Sequence, residues 1–316
     1  MTGLSAVRGL TVIRLAPGVP MRTAIDSFCY HRYFGASYPE LETAPAKQWT
    51  VADFVSAAAG HGVEGVSIEH FMLTDRSPAA LAALRQQIED AGLALVWAWG
   101  HPDGLGSGSL PEALEELVAE LDVAVELGAD TMRICAGGRR TRPASWAEHK
   151  RQLVPLLQRA TELAAQRGVT LAVENHVDLL GHEVLELLEA VDHPHLGVCL
   201  DTGNNLRLFE DVMAVIDDLA PHARAVHLKD VTAYRGDPHT FGFWPSVPLG
   251  EGLIDVPRAL RALAASGYRG LLALEIDYLK PEFRDADGAE HGAIAASIAY
   301  LERALVDVRS EFDAAG

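Results

Sequence analysis

Cysteine is scarce in this 316-residue chain. Cys29, Cys135 and Cys199 lack the paired spacing of a zinc site and are too few for a disulfide framework, so stability must come from a packed core. Each lies in an apolar run that reads as a strand, and buried free thiols in a reducing cytoplasm are expected. No apolar stretch approaches the roughly 20 residues that cross a bilayer, which argues against a membrane partner. Residues 1–20 lack an apolar segment followed by a small-residue cleavage site, so no secretory leader is expected. Basic charge is also short: 26 Lys and Arg against 44 Asp and Glu leave a net charge of -18. Such a surface repels phosphate backbones and disfavours a nucleic-acid partner. The one compact basic run, Arg139-Arg140-Thr141-Arg142, reads as a solvated loop. A glycine-rich phosphate loop is missing as well. Where one would follow the first strand the chain reads Tyr30-His31-Arg32-Tyr33-Phe34-Gly35, which argues against a doubly wound open sheet and favours a non-phosphorylated ligand.

What is present is a large apolar fraction, 49%, distributed in an alternating pattern. Short β-rich runs occur at residues 23–30, 65–69, 94–99, 131–136, 170–174, 197–201, 225–229 and 271–276. Between them lie longer segments with helical spacing. In residues 113–126, Leu114, Leu117, Leu121 and Val125 share one face, with Glu115, Glu116 and Glu120 elsewhere; residues 154–165 and 184–191 behave alike. Gly62, Gly92, Gly128, Gly168 and Gly267 each stand where a helix should end in a left-handed cap before the next strand. Eight helix-glycine-strand units have one simple solution: an α/β, single-domain (β/α)8 TIM barrel. Residues 1–21 read as an N-terminal extension, poorly ordered, and 22–316 as the barrel, with residues 292–312 as a closing helix. The long connections after strands one and seven carry Tyr33, Phe34 and Tyr38, and Tyr234, Phe241, Phe243 and Trp244; they are expected to wall the barrel mouth.

Four successive strand ends place an ionisable group directly after apolar residues: Glu174, Asp201, His227 and Glu275. In a barrel these meet over one mouth. Three converging carboxylates without a cation would repel one another, and a divalent ion removes that penalty. Three oxygen donors and one imidazole suit Mn2+ first, with Mg2+, Co2+ and Zn2+ as alternatives. His176 should point the same way as Glu174, and Lys229 the same way as His227. His101 follows the Trp97-Ala98-Trp99 strand, Glu69 and His70 end strand two, and Arg133 lies within strand four. Trp97, Trp99 and Trp244 offer apolar faces to a sugar ring. The substrate-binding candidates are His176, Lys229, His101, Asn204, Glu69 and Trp244.

From about Thr23 to Leu301 the chain resembles the xylose isomerase-like barrels, the broad superfamily of sugar isomerases and epimerases. The resemblance rests on Val173-Glu174-Asn175-His176, Leu200-Asp201-Thr202-Gly203-Asn204, Val226-His227-Leu228-Lys229-Asp230, Pro248-Leu249-Gly250-Glu251-Gly252 and Leu274-Glu275. It implies that Glu174, Asp201, His227 and Glu275 are the metal ligands and that Glu174 and Glu275 are also the catalytic acid/base pair. The implied activity is isomerisation or epimerisation of a small carbohydrate by proton abstraction next to a carbonyl, through an enediolate. Similar barrels use the same first step to dehydrate or cleave a keto-sugar or inosose, including C-glycosides, and a non-catalytic sugar-binding barrel is a further reading. The ketose epimerases of the superfamily often carry histidine three residues after the aspartate, where this chain has Asn204. Abasic-site endonucleases share the fold but use additional histidines at strand ends. Dimers and tetramers are common among similar proteins, which implies a homo-oligomer or assembly with a partner subunit.

Overall fold

The computed structural model describes residues 21–315. The extension expected at residues 1–20 therefore lies outside the described residues. Among these residues eight strands and eight α-helices alternate: β1 (Arg22–Asp26), α1 (Val51–Gly60), β2 (Gly65–Glu69), α2 (Pro78–Asp90), β3 (Ala94–Trp99), α3 (Ala113–Leu127), β4 (Thr131–Ile134), α4 (Trp146–Gln166), β5 (Thr170–Glu174), α5 (Gly181–Val191), β6 (Leu196–Asp201), α6 (Val212–Leu219), β7 (Ala223–Leu228), α7 (Val256–Ser266), β8 (Leu271–Leu274) and α8 (His291–Ala315). All strand pairs are parallel, and β1 closes on β8, so the sheet is a complete (β/α)8 barrel without a free edge.

Local signals set the element ends. Thr50 and Asp53 form a reciprocal capping box on α1, Ser77 caps α2 ahead of Pro78, and Ser145 caps α4. Gly128 and Gly267 close α3 and α7 at φ 85° and 83°, a conformation that costs glycine little. Several expected spans change, β4 and β8 among them, which end at Ile134 and Leu274. The first strand ends at Asp26, because Ser27–Phe34 turns into a 3-10 segment in which the Phe28 N–H donates to the Asp26 carboxylate. Helix α4 starts at Trp146 rather than at residue 154 and accommodates Pro155 in its interior. On α3, Val125 faces solvent and Glu120 is buried, since the Trp97 indole N–H donates to Glu120 and Arg76 pairs with it at 2.9 Å.

The main apolar core fills the layer between strands and helices. A second, small cluster occupies the barrel axis: Ala24, Val96, Ala172, Cys199, Ala225, Leu271 and Ala273. Two residues further along their strands come Asp26, Glu174, Asp201, His227 and Glu275, on the same inward face because side chains alternate with a period of two. The chain thus stacks small residues deep in the barrel and charge at its carboxyl end. All three cysteines are free and buried. No helix of the described residues is long and apolar enough to cross a membrane.

Candidate metal and active site

Glu174, Asp201, His227 and Glu275 come together at the mouth, each buried, with one ligand-type atom from each within 4.8 Å of all the others. The register explains part of this: Asp201 is directly paired with His227 across β6 and β7. His227 Nδ1 lies 2.7 Å from Glu275 Oε2 and 3.9 Å from Glu174 Oε1. The opposite ring nitrogen, Nε2, lies 3.5 Å from Asp26 Oδ2. Asp201 is fixed from three sides. Its Oδ1 accepts the N–H groups of Gly203 and Asn204, both at 2.7 Å, and Asn175 clasps its backbone N–H and C=O.

Asp201 Oδ2, Glu275 Oε2 and both nitrogens of His227 are buried and make no well-directed hydrogen bond among the described residues; their near neighbours are charged groups of the same cluster, Lys229 Nζ 3.1 Å from Asp201 and Glu275 2.7 Å from His227 Nδ1. Buried polar atoms are ordinarily satisfied, so such a concentration of poorly satisfied ligand-type atoms around one point fits a cation. The donor set of three carboxylates and an imidazole suits a divalent one. Without it, protons and side-chain cations carry the compensation. Burial pushes the Asp201 carboxyl up; Lys229 opposes this, while Glu275 and Glu174 add to it. Burial favours a neutral His227, but Cys199 and Glu275 hold the imidazole well above its ordinary value.

Glu174 is the most heavily supported of the four. Arg133 Nε lies 2.7 Å from its Oε2, and the Asn204 side-chain amide donates to Oε1 at 2.9 Å. Burial pushes its carboxyl up, but Arg133 foremost, then His227, His176 and Lys229, hold it well below the usual carboxylate range. The same guanidinium is 3.2 Å from Glu69, whose carboxyl burial raises to about 8 against the pull of Arg133. One cation between two carboxylates ionises the nearer.

Above the cluster lies a cavity of about 350 Å³. Of the substrate-binding candidates, His101, His176, Asn204 and Lys229 line it. His176 Nδ1 is 2.8 Å from the Gly137 carbonyl, which fixes the ring and leaves Nε2 available to a ligand. His101 packs edge-on against His176, and burial, with His176 and Arg133, lowers its pKa to about 3, so the imidazole is neutral. Lys229 serves the carboxylates, 3.1 Å from Asp201, 3.5 Å from Glu275 and 2.9 Å from Asp277. Two candidates stand apart. Glu69 is turned toward Arg133 and is not part of the cavity wall. Trp244 donates its indole N–H to Pro238 and also lies off the wall; Phe241 from the same loop takes that place. Trp97 and Trp99 are fully buried in the core.

The expected aromatic walls are in part present. Tyr38 and Phe241, from the two long connections, stack with centroids 4.4 Å apart and both line the cavity. Tyr33 instead packs on Tyr30 and Trp49 at the rim. The Arg139–Arg142 run is not simply solvated: Arg139 and Arg140 line the mouth, and Arg142 pairs with Glu183 at 2.6 Å. Other residues at the site went unassigned from sequence. Asp26 and Asp277 follow apolar residues near strand ends, the same signal that marked the four clustered residues. Arg207, 2.8 Å from Asp277, sits in the 3-10 segment Asn204–Leu208 after β6 and carries no such signal.

The chain is thus a closed eight-stranded (β/α)8 barrel with acidic and imidazole groups that could hold a metal ion gathered at its carboxyl-terminal mouth. The sequence model of the xylose isomerase-like TIM barrel family matches residues 55–304, and the chain belongs to that family. Among curated proteins it is similar to a 3-dehydroshikimate dehydratase of Pseudomonas putida, 28% identical over 267 residues, covering 80% of this chain and 40% of that protein. It therefore spans less than half the length of that relative. An inosose dehydratase of Geobacillus thermodenitrificans is 25% identical over 226 residues, covering 64% of this chain and 76% of the relative. Among solved structures, an L-ribulose 3-epimerase superposes with TM-score 0.71 at 18% identity, covering 94% of this chain and 98% of that one, a likeness of fold.

Proposed function

We propose that this chain is a divalent-metal-dependent enzyme that removes a proton from a carbon next to a carbonyl of a small polyhydroxylated substrate, with Mn2+ as the favoured ion. The observation that carries this reading is the convergence of Glu174, Asp201, His227 and Glu275, whose buried ligand-type atoms lack well-directed hydrogen bonds among the described residues, beneath a small-molecule cavity. A cation held by these four residues supplies Lewis acidity toward the substrate's carbonyl and neighbouring hydroxyl oxygens. The remaining chemistry belongs to the side chains. Glu174, kept ionised by Arg133, takes the proton. Glu275, on the far side of two intervening strands, returns one to the opposite face, which makes the outcome epimerisation or isomerisation. Tyr38 and Phe241 limit water at the reacting carbon.

A second reading, elimination of a β-hydroxyl, is favoured by His176 and His101. A leaving hydroxyl needs its own proton donor, and His176, its Nδ1 tied to the Gly137 carbonyl, supplies a third transfer group on the wall. The dehydratases among the similar proteins support this branch. The test is incubation of metal-loaded protein in D2O with ketoses, inososes and 3-keto-glycosides, followed by NMR. Carbon-bound deuterium is expected, and Glu174→Gln should abolish it. Inverted product marks epimerisation, and a conjugated product formed with loss of water marks elimination. Absence of exchange across the panel contradicts the proposal.

A further inference from the structure

The charges on the cavity wall do not balance. Arg140 is matched by Asp103 at 3.0 Å and Arg133 by Glu174. Arg139 has no carboxylate within ion-pairing distance among the described residues; its guanidinium donates only to the carbonyls of His239 and Arg207, at 2.7 and 3.1 Å. Lys229 and Arg207 share Asp277. Once Asp201 and Glu275 are engaged by a divalent ion, that single carboxylate remains between the two cations. This part of the wall then offers three positive side chains for one negative, in a chain whose net charge is -18. Moreover Arg207 is only 6% exposed, and while its Nη2 pairs with Asp277, its Nε–H has no acceptor among the described residues. A buried, charged donor left without a partner is costly, and a ligand that accepts from it recovers that cost.

The geometry points to an anion subsite formed by Arg139 and Arg207, and so to a substrate that carries a carboxylate as well as the reacting ketone: a small polyhydroxylated keto-acid. The inference rests on the proposed enolisation chemistry for the ketone and on the wall charge for the carboxylate. Guanidinium groups match a planar carboxylate in forked geometry. Position supports the pairing with the reaction. Arg207 Nη1 is 3.4 Å from Asn204 Oδ1, and Asn204 donates to Glu174 at 2.9 Å, so the subsite is one side chain removed from the proposed base. A cavity of about 350 Å³ accommodates a molecule of monosaccharide size. A phosphate monoester carries about -1.5 to -2 charge and three acceptor oxygens, a poorer match to two guanidinium groups whose Nη atoms are already engaged.

The test is calorimetric and independent of turnover. Manganese-loaded protein is titrated with D-gluconate, D-glucitol and D-glucitol 6-phosphate, at low and at physiological salt. Gluconate is expected to bind about tenfold tighter than glucitol and tighter than the phosphate, with the advantage shrinking as salt rises. Arg139→Gln, at an exposed position that carries no core packing, should erase the advantage, and Arg139→Lys should recover part of it. Equal affinity for gluconate and glucitol overturns the inference, as does an acid preference that survives Arg139→Gln, which would place the carboxylate on the metal. Tighter binding of the phosphate overturns the carboxylate assignment. Failure of deuterium exchange would instead strike the enolisation chemistry, leaving the binding result to stand or fall by itself.

Discussion

Arg133 and Glu174 stand side by side on neighbouring strands, the guanidinium Nε 2.7 Å from the carboxylate, with both side chains excluded from solvent. This pair settles which carboxylate at the mouth is ionised. Replacing the cation by an apolar chain of similar length, Arg133→Met, leaves Glu174 and Glu69 buried without their counter-ion. A loss of about 3–5 kcal/mol is expected in denaturant unfolding of metal-free protein, the range for breaking one side of a buried pair. A loss below about 1 kcal/mol would show that the guanidinium does not hold the site's charge.

Asp26 supports the imidazole of His227 from behind, 3.5 Å from Nε2, while Nδ1 faces the other ligands. Outer carboxylates of this kind orient a ligating ring and raise its basicity. Asp26→Asn should weaken divalent-metal affinity about 10- to 100-fold, measured by competition with a chelating dye, while the far-ultraviolet dichroism stays unchanged. Unaltered affinity would remove Asp26 from the metal site.

Asp230 organises the long connection that carries Phe241. Its carboxylate accepts four backbone N–H groups, from Val231, Gly250, Gly252 and Ile254. Gly252 is required at that approach, since a Cβ there would meet Asp230 Oδ1 at 2.1 Å. Asp230→Ala strands these donors and should cost about 3 kcal/mol or more, with faster proteolysis between residues 231 and 251. Wild-type stability and protease resistance would contradict this role.

Acid sensitivity has a source away from the site, the buried His149 of α4. Burial, with Arg142 and despite Glu183, lowers the His149 imidazole from 6.5 to about 4. The unfolded chain therefore binds this proton first. The contribution is fully present above pH 6.5 and is lost as pH falls toward 4, on the order of 1–2 kcal/mol after allowance for solvent screening. Thermal melts between pH 4.5 and 7 should show stability falling with acid, and His149→Gln should flatten that slope. An identical slope in the variant would assign the acid loss to other groups.

The barrel was legible because its signals are local and repeated: glycine at or just past the ends of five helices, and strands whose inward residues recur every second position. The convergence of Glu174, Asp201, His227 and Glu275 was legible for the same reason, a charge placed directly after an apolar strand. Asp26 obeys that rule but was hidden, because the apolar run Phe28-Cys29-Tyr30 extends the strand pattern past its true end, where the Asp26 carboxylate turns the chain into a 3-10 segment. Arg207 and Asp277 are 70 residues apart, and a pairing across such a separation leaves no mark in one sequence. Glu120 reads from sequence only as lying off the apolar face of its helix, because its burial depends on Trp97 and Arg76, neither of which is on that helix.

The most direct measurement is calorimetric titration of metal-stripped protein with Mn2+. One saturable site per chain is expected, weakened at least about 100-fold in both Asp201→Asn and His227→Gln, as loss of a direct ligand exceeds the 10- to 100-fold effect of an outer partner. No saturable binding in the wild type, or wild-type affinity in either variant, would contradict a metal centre built from Glu174, Asp201, His227 and Glu275.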